Sequence, residues 1–268
     1  MHYYLLFLAS ILIATNISAQ TDTLQTSSTK KEFKNTLAIG ANIIHLGIDN
    51  QISKEFGAEY SRKTGIGVCI GHLNYMERFG NKGIQLQAEC YPKLWKKAYA
   101  HLVFGYSGSN AYPKIATGFT LIQALKGGFE AELGTRFYQS GDTQNVYALI
   151  LGANKYLGRS LIMYKLWLVK TPTQNQQAHN LQWRYYAKDE KSYVFAGLSV
   201  GNATRLDNSG QFAFDTANDI NLSLQAGLNK HFAKRYNLST SAFYDRTKYA
   251  NQNTQQRVGA SVRMAVSF

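Results

Sequence analysis

The chain has 268 residues, of which only 17% are charged and 13% are aromatic, and its formal net charge is +13. A charged fraction so far below the roughly 25% of average soluble proteins argues against an ordinary soluble domain. The basic residues are scattered, as in Lys30-Lys31, Lys96-Lys97 and Lys234-Arg235, without longer runs. This scatter disfavours nucleic acid as the partner and favours anionic lipid headgroups or lipopolysaccharide.

The N-terminus has the pattern of a secretory signal peptide. An apolar run from Leu5 to Ala14 precedes the small residues Ser18 and Ala19, as in cleaved export signals. The run is too short to span a bilayer comfortably as a helix. We therefore expect a signal peptide at residues 1–19, a flexible polar leader at 20–35 and a mature domain at 36–268.

Apolar and polar side chains alternate through the mature domain, as in RVGASVRMAVSF at residues 257–268. A two-residue period places one kind of side chain on each face of a β-sheet. The pattern predicts fourteen strands, with twelve as the alternative count. In the third, sixth, eighth and ninth strands apolar residues occupy both faces, so the facing is open. The expected bounds are 36–49, 53–63, 65–76, 81–92, 97–107, 114–124, 128–139, 145–156, 160–170, 179–188, 192–201, 219–231, 236–247 and 257–268.

The connections between these strands alternate in length. Short links follow the even-numbered strands, and most links after the odd-numbered strands are longer and polar, as at 171–178, 203–219 and 250–256. This alternation is typical of outer-membrane barrels, and a sheet in lipid must close on itself. The sequence therefore predicts an all-β, transmembrane, antiparallel up-and-down β-barrel with both termini in the periplasm. The 203–219 loop, with Phe212 and Phe214, is expected to face outside.

Aromatic residues add two expectations. The terminal Phe268 resembles the C-terminal signal read by the outer-membrane insertion machinery. Tyr and Trp near strand ends predict girdles at the headgroup level of the bilayer. The expected girdle residues are Tyr60, Tyr75, Tyr91, Trp95, Tyr106, Trp183, Tyr185 and Tyr244.

Five short motifs stand in a fixed order along the chain: Arg78-Phe79-Gly80, Tyr91-Pro92, Gly105-Tyr106-Ser107, Tyr112-Pro113-Lys114, and the segment 134–138 that contains Arg136. Together they resemble the YaiO-like family of outer-membrane β-barrels, over essentially the whole mature chain. The resemblance implies an outer-membrane location in a Gram-negative bacterium and a barrel of twelve or more strands. It implies no agreed enzymatic activity.

The polar strand faces carry charges that should point inward by parity. They are Glu55, Glu59, Glu89, Glu130, Glu132, Arg136, Arg184 and Arg263. Shielded charges need partners, so we expect a narrow lumen laced with Glu–Arg pairs that rigidify the barrel. The alternative is an ion- or solute-selective constriction. Both fit a structural or transport and export role in the cell envelope.

A lipid- or lipopolysaccharide-modifying hydrolase is the alternative function. It needs a serine beside a histidine, and His101 and Ser107 share inward parity on one predicted strand. Six residues of extended chain separate them by roughly 20 Å, and no phospholipase signature is present. The sequence therefore favours a non-enzymatic barrel without cofactor or metal.

Cys69 and Cys90 lie on the predicted third and fourth strands. A turn between Phe79 and Gly80 would place them opposite each other, and an exported protein can form a disulfide. The facing of the third strand is open, so the sequence favours two unbridged, lipid-facing cysteines and keeps the disulfide as the alternative.

Overall fold

A computed structural model describes residues 33–47, 51–78, 80–140, 144–189, 191–202, 221–248 and 254–268. The expected signal peptide, most of the leader, Phe79 and the 203–219 loop lie outside these ranges. Among the described residues, no helix is long and apolar enough to cross a bilayer. A 3₁₀ turn at Lys126–Gly128 accompanies the strands β1 Asn35–Leu46, β2 Gln51–Lys63, β3 Gly67–Arg78, β4 Asn81–Trp95, β5 Ala98–Tyr106, β6 Ile115–Ala124, β7 Phe129–Ser140, β8 Gln144–Leu157, β9 Ser160–Lys170, β10 Asn175–Tyr186, β11 Tyr193–Gly201, β12 Asn221–Phe232, β13 Tyr236–Lys248 and β14 Thr254–Ser267.

The strands form one closed barrel in which each strand pairs with its chain neighbours and β1 pairs with β14. The closing pair is antiparallel from Thr36 opposite Ser267 to Leu46 opposite Arg257. At its end, Asn35 N donates to Phe268 O at 3.1 Å and Phe268 N donates to Asn35 O at 2.9 Å. The predicted closed antiparallel barrel is confirmed, with fourteen strands rather than twelve.

Two strands start three or more residues earlier than predicted. β10 begins at Asn175 instead of 179, and β14 begins at Thr254 instead of 257. The added segments, residues 175–178 and 254–256, resemble polar loops in sequence. The reason is that their outward side chains, such as Gln177 and Gln256, are polar. An outward side chain near a strand end lies beyond the hydrocarbon, where polarity is tolerated and the alternation disappears.

The last strand shows how the barrel sorts its side chains. Val262, Met264 and Phe268 are exposed on the outer surface. Ser261 and Ala265, on the opposite face, are buried in the interior. An outer apolar surface and a polar interior are the arrangement that a barrel in lipid requires.

The strands whose facing the sequence left open line an apolar part of the lumen. On β8, Val146 and Ile150 point inward and are buried, whereas Tyr147 and Leu149 point outward and are exposed. Both faces are apolar because the lumen wall itself is apolar there. The buried cluster consists of Ala116, Tyr138, Val146, Ala148, Ile150, Trp167, Val169 and Ala178.

Cys69 and Cys90 form a disulfide between β3 and β4. They are direct partners in the strand register, as the turn position predicted. Both share the outward parity of the exposed Leu73 and Leu86. The favoured interpretation of two unbridged cysteines was therefore wrong: the two residues do face outward, but they form a bridge on the outer face.

Denatured, oxidised protein should migrate faster on a gel than the same protein after reduction. The bridge joins residues 21 positions apart, and closing a loop of this size restricts the unfolded chain by about 3 kcal/mol in the loop-entropy model. The Cys69→Ser variant serves as the control, with no shift on reduction. Equal mobility of both wild-type samples would contradict the bridge.

Leu181 and Asn180 lie at neighbouring positions in the middle of β10 and point to opposite faces, Leu181 outward and exposed, Asn180 inward. Leu181→Arg should lower the free energy of unfolding in bilayers by roughly 2–4 kcal/mol, because the charge enters hydrocarbon. Asn180→Arg at the same depth should cost much less. Equal costs, measured by denaturant titration in vesicles, would contradict the assignment of faces.

Candidate functional site

Glu89, on β4, is the centre of a network inside the barrel. Its Oε1 accepts a hydrogen bond from Gln87 Nε2 at 2.7 Å, and His72 Nε2 lies 3.3 Å from the same oxygen. Its Oε2 accepts from Tyr91 OH at 2.9 Å and contacts His101 Nε2 at 3.0 Å. Four polar side chains thus converge on one carboxylate whose side chain is only 10% exposed.

Tyr91 corrects one expectation. It was predicted in the lipid-facing girdle, but its ring stacks in the lumen on the His101 ring with centroids 4.5 Å apart. Tyr91 is two residues from Glu89, so the strand period places both on the same face. The other expected girdle residues face outward; Trp95 does so because the strand register shifts between Lys93 and Trp95. Those among them that are exposed are Tyr60, Trp95, Tyr106, Trp183 and Tyr185.

The contacts of His101 fix its tautomer. Its Nδ1 lies 3.4 Å from Arg136 Nη2, and a guanidinium can only donate. Nδ1 therefore accepts this hydrogen bond, and Nε2 carries the hydrogen that it donates to Glu89 Oε2. The histidine connects the carboxylate on β4 to the guanidinium on β7 as a neutral ring.

Arg136 is held against the barrel wall. Its Nη1 donates to Thr120 Oγ1 at 2.9 Å, to Phe119 O at 3.1 Å and to Thr135 O at 2.9 Å. Gly118 is its direct cross-strand partner, and a Cβ at residue 118 would overlap the Arg136 side chain. The glycine therefore lets the long side chain lie flat along the wall instead of crossing the lumen.

The network continues in the other direction across the closure of the barrel. Glu59 Oε2 lies 3.9 Å from His72 Nδ1, and Glu59 Oε1 accepts a hydrogen bond from Arg263 Nη2 at 2.6 Å. β1 separates the strands of Glu59 and Arg263, and its inward residues at their level are Ala38 and Gly40. Because these residues are small, the ion pair can pass over β1. We call this network the charge belt; it comprises Arg263, Glu59, His72, Glu89, His101 and Arg136.

A second group lies beside the charge belt on β7, β8 and β9. Lys165 Nζ lies 2.8 Å from Glu132 Oε2. Asn154 Nδ2 donates to Glu132 Oε1 at 2.7 Å and to Glu130 Oε2 at 3.2 Å. The amide thus bridges two carboxylates, one of which is paired with the lysine.

Two further predicted lumen charges have contacts of their own. Glu55 Oε2 accepts a hydrogen bond from Asn42 Nδ2 at 2.9 Å. Arg184 Nε donates to Gln182 Oε1 at 3.0 Å, and its guanidinium lies 5.2 Å from the centroid of the Tyr193 ring. The contacts described for the eight predicted charges therefore join Arg263 to Glu59 directly, while Glu89 and Arg136 are connected only through histidine. His72, His101 and Lys165 were not predicted as network members; the inward parity of His101 was readable, whereas the facing of the strands that carry His72 and Lys165 was open.

The residues considered for hydrolysis are not assembled. Ser107 Oγ donates to Ile84 O at 2.7 Å and contacts Ser109 Oγ at 2.9 Å, whereas both ring nitrogens of His101 face Glu89 and Arg136. Within the described ranges, no group of three or more His, Cys, Asp or Glu residues could hold a metal ion.

The residues of the sequence motifs fall in three places. Tyr91 and Arg136 lie in the network, and Pro92 is the next residue on β4, opposite Gly67 on β3. Ser107, Tyr112 and Pro113 are buried in the β5–β6 connection. Arg78 and Gly80 flank the β3–β4 turn, and Gly105 lies on β5, where an added Cβ would approach the Gln85 side chain.

Comparisons with solved structures agree with this fold. The CymD monoaromatic hydrocarbon channel superimposes with a TM-score of 0.58 at 10% identity, covering 88% of this chain and 89% of that chain. A bacterial polysaccharide outer membrane secretin superimposes with a TM-score of 0.55 at 8% identity, covering 88% of this chain and 98% of that chain. At such identities the likeness concerns the fold alone. No curated protein sequence matches the chain.

A family model, described as the YaiO membrane beta barrel domain, matches residues 34–206. The match covers more than half of the chain, starts beside the first strand and extends past β11. The protein is thus an outer-membrane β-barrel similar in fold to the hydrocarbon channel and the secretin, and it belongs to the family of the YaiO membrane beta barrel domain.

Proposed function

We propose that this barrel is a narrow channel whose constriction is the charge belt. The observation that carries the proposal is the continuous line of contacts from Arg263 to Arg136 around the inner wall. Exposed fractions along it range from 6% for Glu59 to 21% for His101. A passage bounded by such side chains admits only small solutes and selects them by charge.

The position of the side chains supports an open passage through the lumen rather than a lumen filled by a stabilising ionic network. A buried ionic network is weak evidence for a role in stability, because desolvating the charges costs about as much as their attraction returns. Large inward side chains lie over cross-strand glycines at several levels of the barrel. Besides Arg136 over Gly118, the Phe195 ring lies over Gly227 and the Phe243 ring over Gly259. Side chains arranged in this way leave the axis of the barrel less obstructed.

The orientation in the envelope is part of the same proposal. The six connections after the even-numbered strands lie at the end of the barrel that carries Asn35 and Phe268. In outer-membrane barrels the shorter turns face the periplasm. We assign this end to the periplasm, with export by the N-terminal signal, insertion aided by Phe268, and surrounding lipids and lipopolysaccharide as partners.

Ion selectivity in planar bilayers tests the role of the charge belt. The wild-type protein should conduct in small steps. Glu89→Gln removes the central negative charge while Arg136 and Arg263 remain, so anion permeability should rise relative to cation permeability. Glu77→Gln is the matched control, because Glu77 lies at the outer face beside Lys82, at 3.6 Å, and should leave selectivity unchanged. A barrel that conducts in neither form would indicate a purely structural role.

Gly118 provides an independent test. Gly118→Leu should displace Arg136 from the wall and lower the single-channel conductance at unchanged protein yield. The control is Gly71→Leu, on the outward face of β3, where an added Cβ would meet no atom within 4 Å. Conductance that falls equally in both variants would contradict the placement of Arg136.

A further inference from the structure

Basic residues ring one end of the barrel. We call this end the terminal rim; it consists of the six connections after the even-numbered strands, together with the adjoining strand ends, Asn35 and Phe268. Every connection or its strand end carries an exposed lysine or arginine, which accounts for much of the net charge of +13. One from each is Lys63, Lys96, Lys126, Arg159, Lys191 and Lys234.

Several connections carry a second base, such as Lys97 and Arg235, whereas acidic residues are scarce. Among the described residues of the six connections, Asp189 is the acidic one; Glu130 lies at the start of β7 on the lumen face, and the sequence adds Glu190 outside the described ranges. The Asp189 carboxylate accepts hydrogen bonds from Ser192 Oγ at 2.5 Å and Ser192 N at 2.7 Å. These bonds, led by the side-chain bond, lower the pKa of Asp189, so its carboxylate stays charged within a ring that is predominantly positive.

Aromatic side chains mark where the bilayer surface crosses this end. Tyr60 is exposed on the outer face, and its hydroxyl donates to Asn35 Oδ1 at 2.9 Å. Trp183 is likewise exposed, and its Nε1 donates to Ser160 Oγ at 3.2 Å. Asn35 and Ser160 are the first residues of their strands at the terminal rim. Polar tips directed to this end and apolar rings towards the strand centres are the arrangement of an interfacial girdle.

Basic side chains at this level also point towards lipid rather than into the lumen. Lys155 has the outward parity of β8, and its Nζ lies 3.8 Å from the centroid of the outward Phe129 ring. Lys230 lies on the outward face of β12, between the exposed Leu228 and Phe232. Cations directly beyond an aromatic girdle stand at the level of lipid phosphates.

We infer that the terminal rim binds anionic phospholipid headgroups of the leaflet that surrounds it. The ring of lysine and arginine side chains attracts the phosphates, and the girdle sets their depth. This selectivity for boundary lipid does not depend on whether the lumen conducts. An acidic periplasmic macromolecule is the competing ligand of the terminal rim. Binding of such a molecule would not explain why Lys155 and Lys230 lie on the outward, lipid-facing side at the level of the girdle.

Spin-labelled lipids test the inference in reconstituted protein. In phosphatidylcholine vesicles at low salt, spin-labelled phosphatidylglycerol should occupy the protein boundary about threefold more than spin-labelled phosphatidylcholine of the same chain length. The ratio should fall towards one at 1 M salt, where the Debye length is about 3 Å. A wild-type ratio near one at low salt would overturn the inference and would leave the rim to an acidic macromolecule.

Two multiple variants locate the effect. The neutralised variant carries K96Q, K97Q, K234Q and R235Q, and the matched control keeps the charge with K96R, K97R and K234R. The neutralised variant should lose at least about half of the lipid preference, and the control should retain it. An unchanged preference in the neutralised variant would overturn the inference; the salt series on wild-type protein decides the question if that variant does not fold.

Discussion

The structure depends on one constraint: a backbone N–H or C=O group placed in hydrocarbon must find its partner within the protein. A sheet meets this requirement only if its first and last strands pair, as β1 and β14 do. Closure then gives every strand an inside and an outside, and the two-residue period distributes side chains between them. Residues that cannot enter lipid, including Glu59, Glu89 and Arg136, are forced into a common interior, where they must pair with one another.

The charge belt follows from that confinement together with the use of small residues. Arg263 and Glu59 lie on strands that are not neighbours, and they meet because Ala38 and Gly40 leave room above β1. Arg136 lies flat because Gly118 faces it. Long inward side chains opposite glycines thus allow a lumen to be lined with charge without being filled by it. The same sheet carries an apolar lumen wall on β6 to β10, so the interior differs from one side to the other.

Much of the fold was predictable because lipid enforces the alternation that sequence reasoning detects. The strand count, the closed topology and the inward parity of Glu59 and Arg263 all follow from that period. The facing of β8 was not predictable, since an apolar lumen wall erases the contrast between Val146 and Tyr147. The start of β10 was missed for the opposite reason, because both faces are polar near the strand end.

Contacts within the charge belt could not be predicted from the sequence either. Parity predicts that Glu89 and His101 point inward, but the strand registers decide which inward residues share a level. For Cys69 and Cys90, counting from the turn correctly predicted that the two residues are cross-strand partners. Predicting the disulfide would also have required knowing to which face of β3 Cys69 points, and the sequence left that open.

A nitroxide scan along β14 of the reconstituted protein tests the central claim most directly. Labels at the even-numbered positions from Val258 to Val266 should collide frequently with lipid-dissolved oxygen. Labels at the odd-numbered positions from Arg257 to Ala265 should not, so that oxygen accessibility oscillates with a period of two residues. Equal access of a water-soluble nickel reagent to both sets, or a profile without this period, would contradict a closed barrel that presents its apolar face to lipid and encloses its charges.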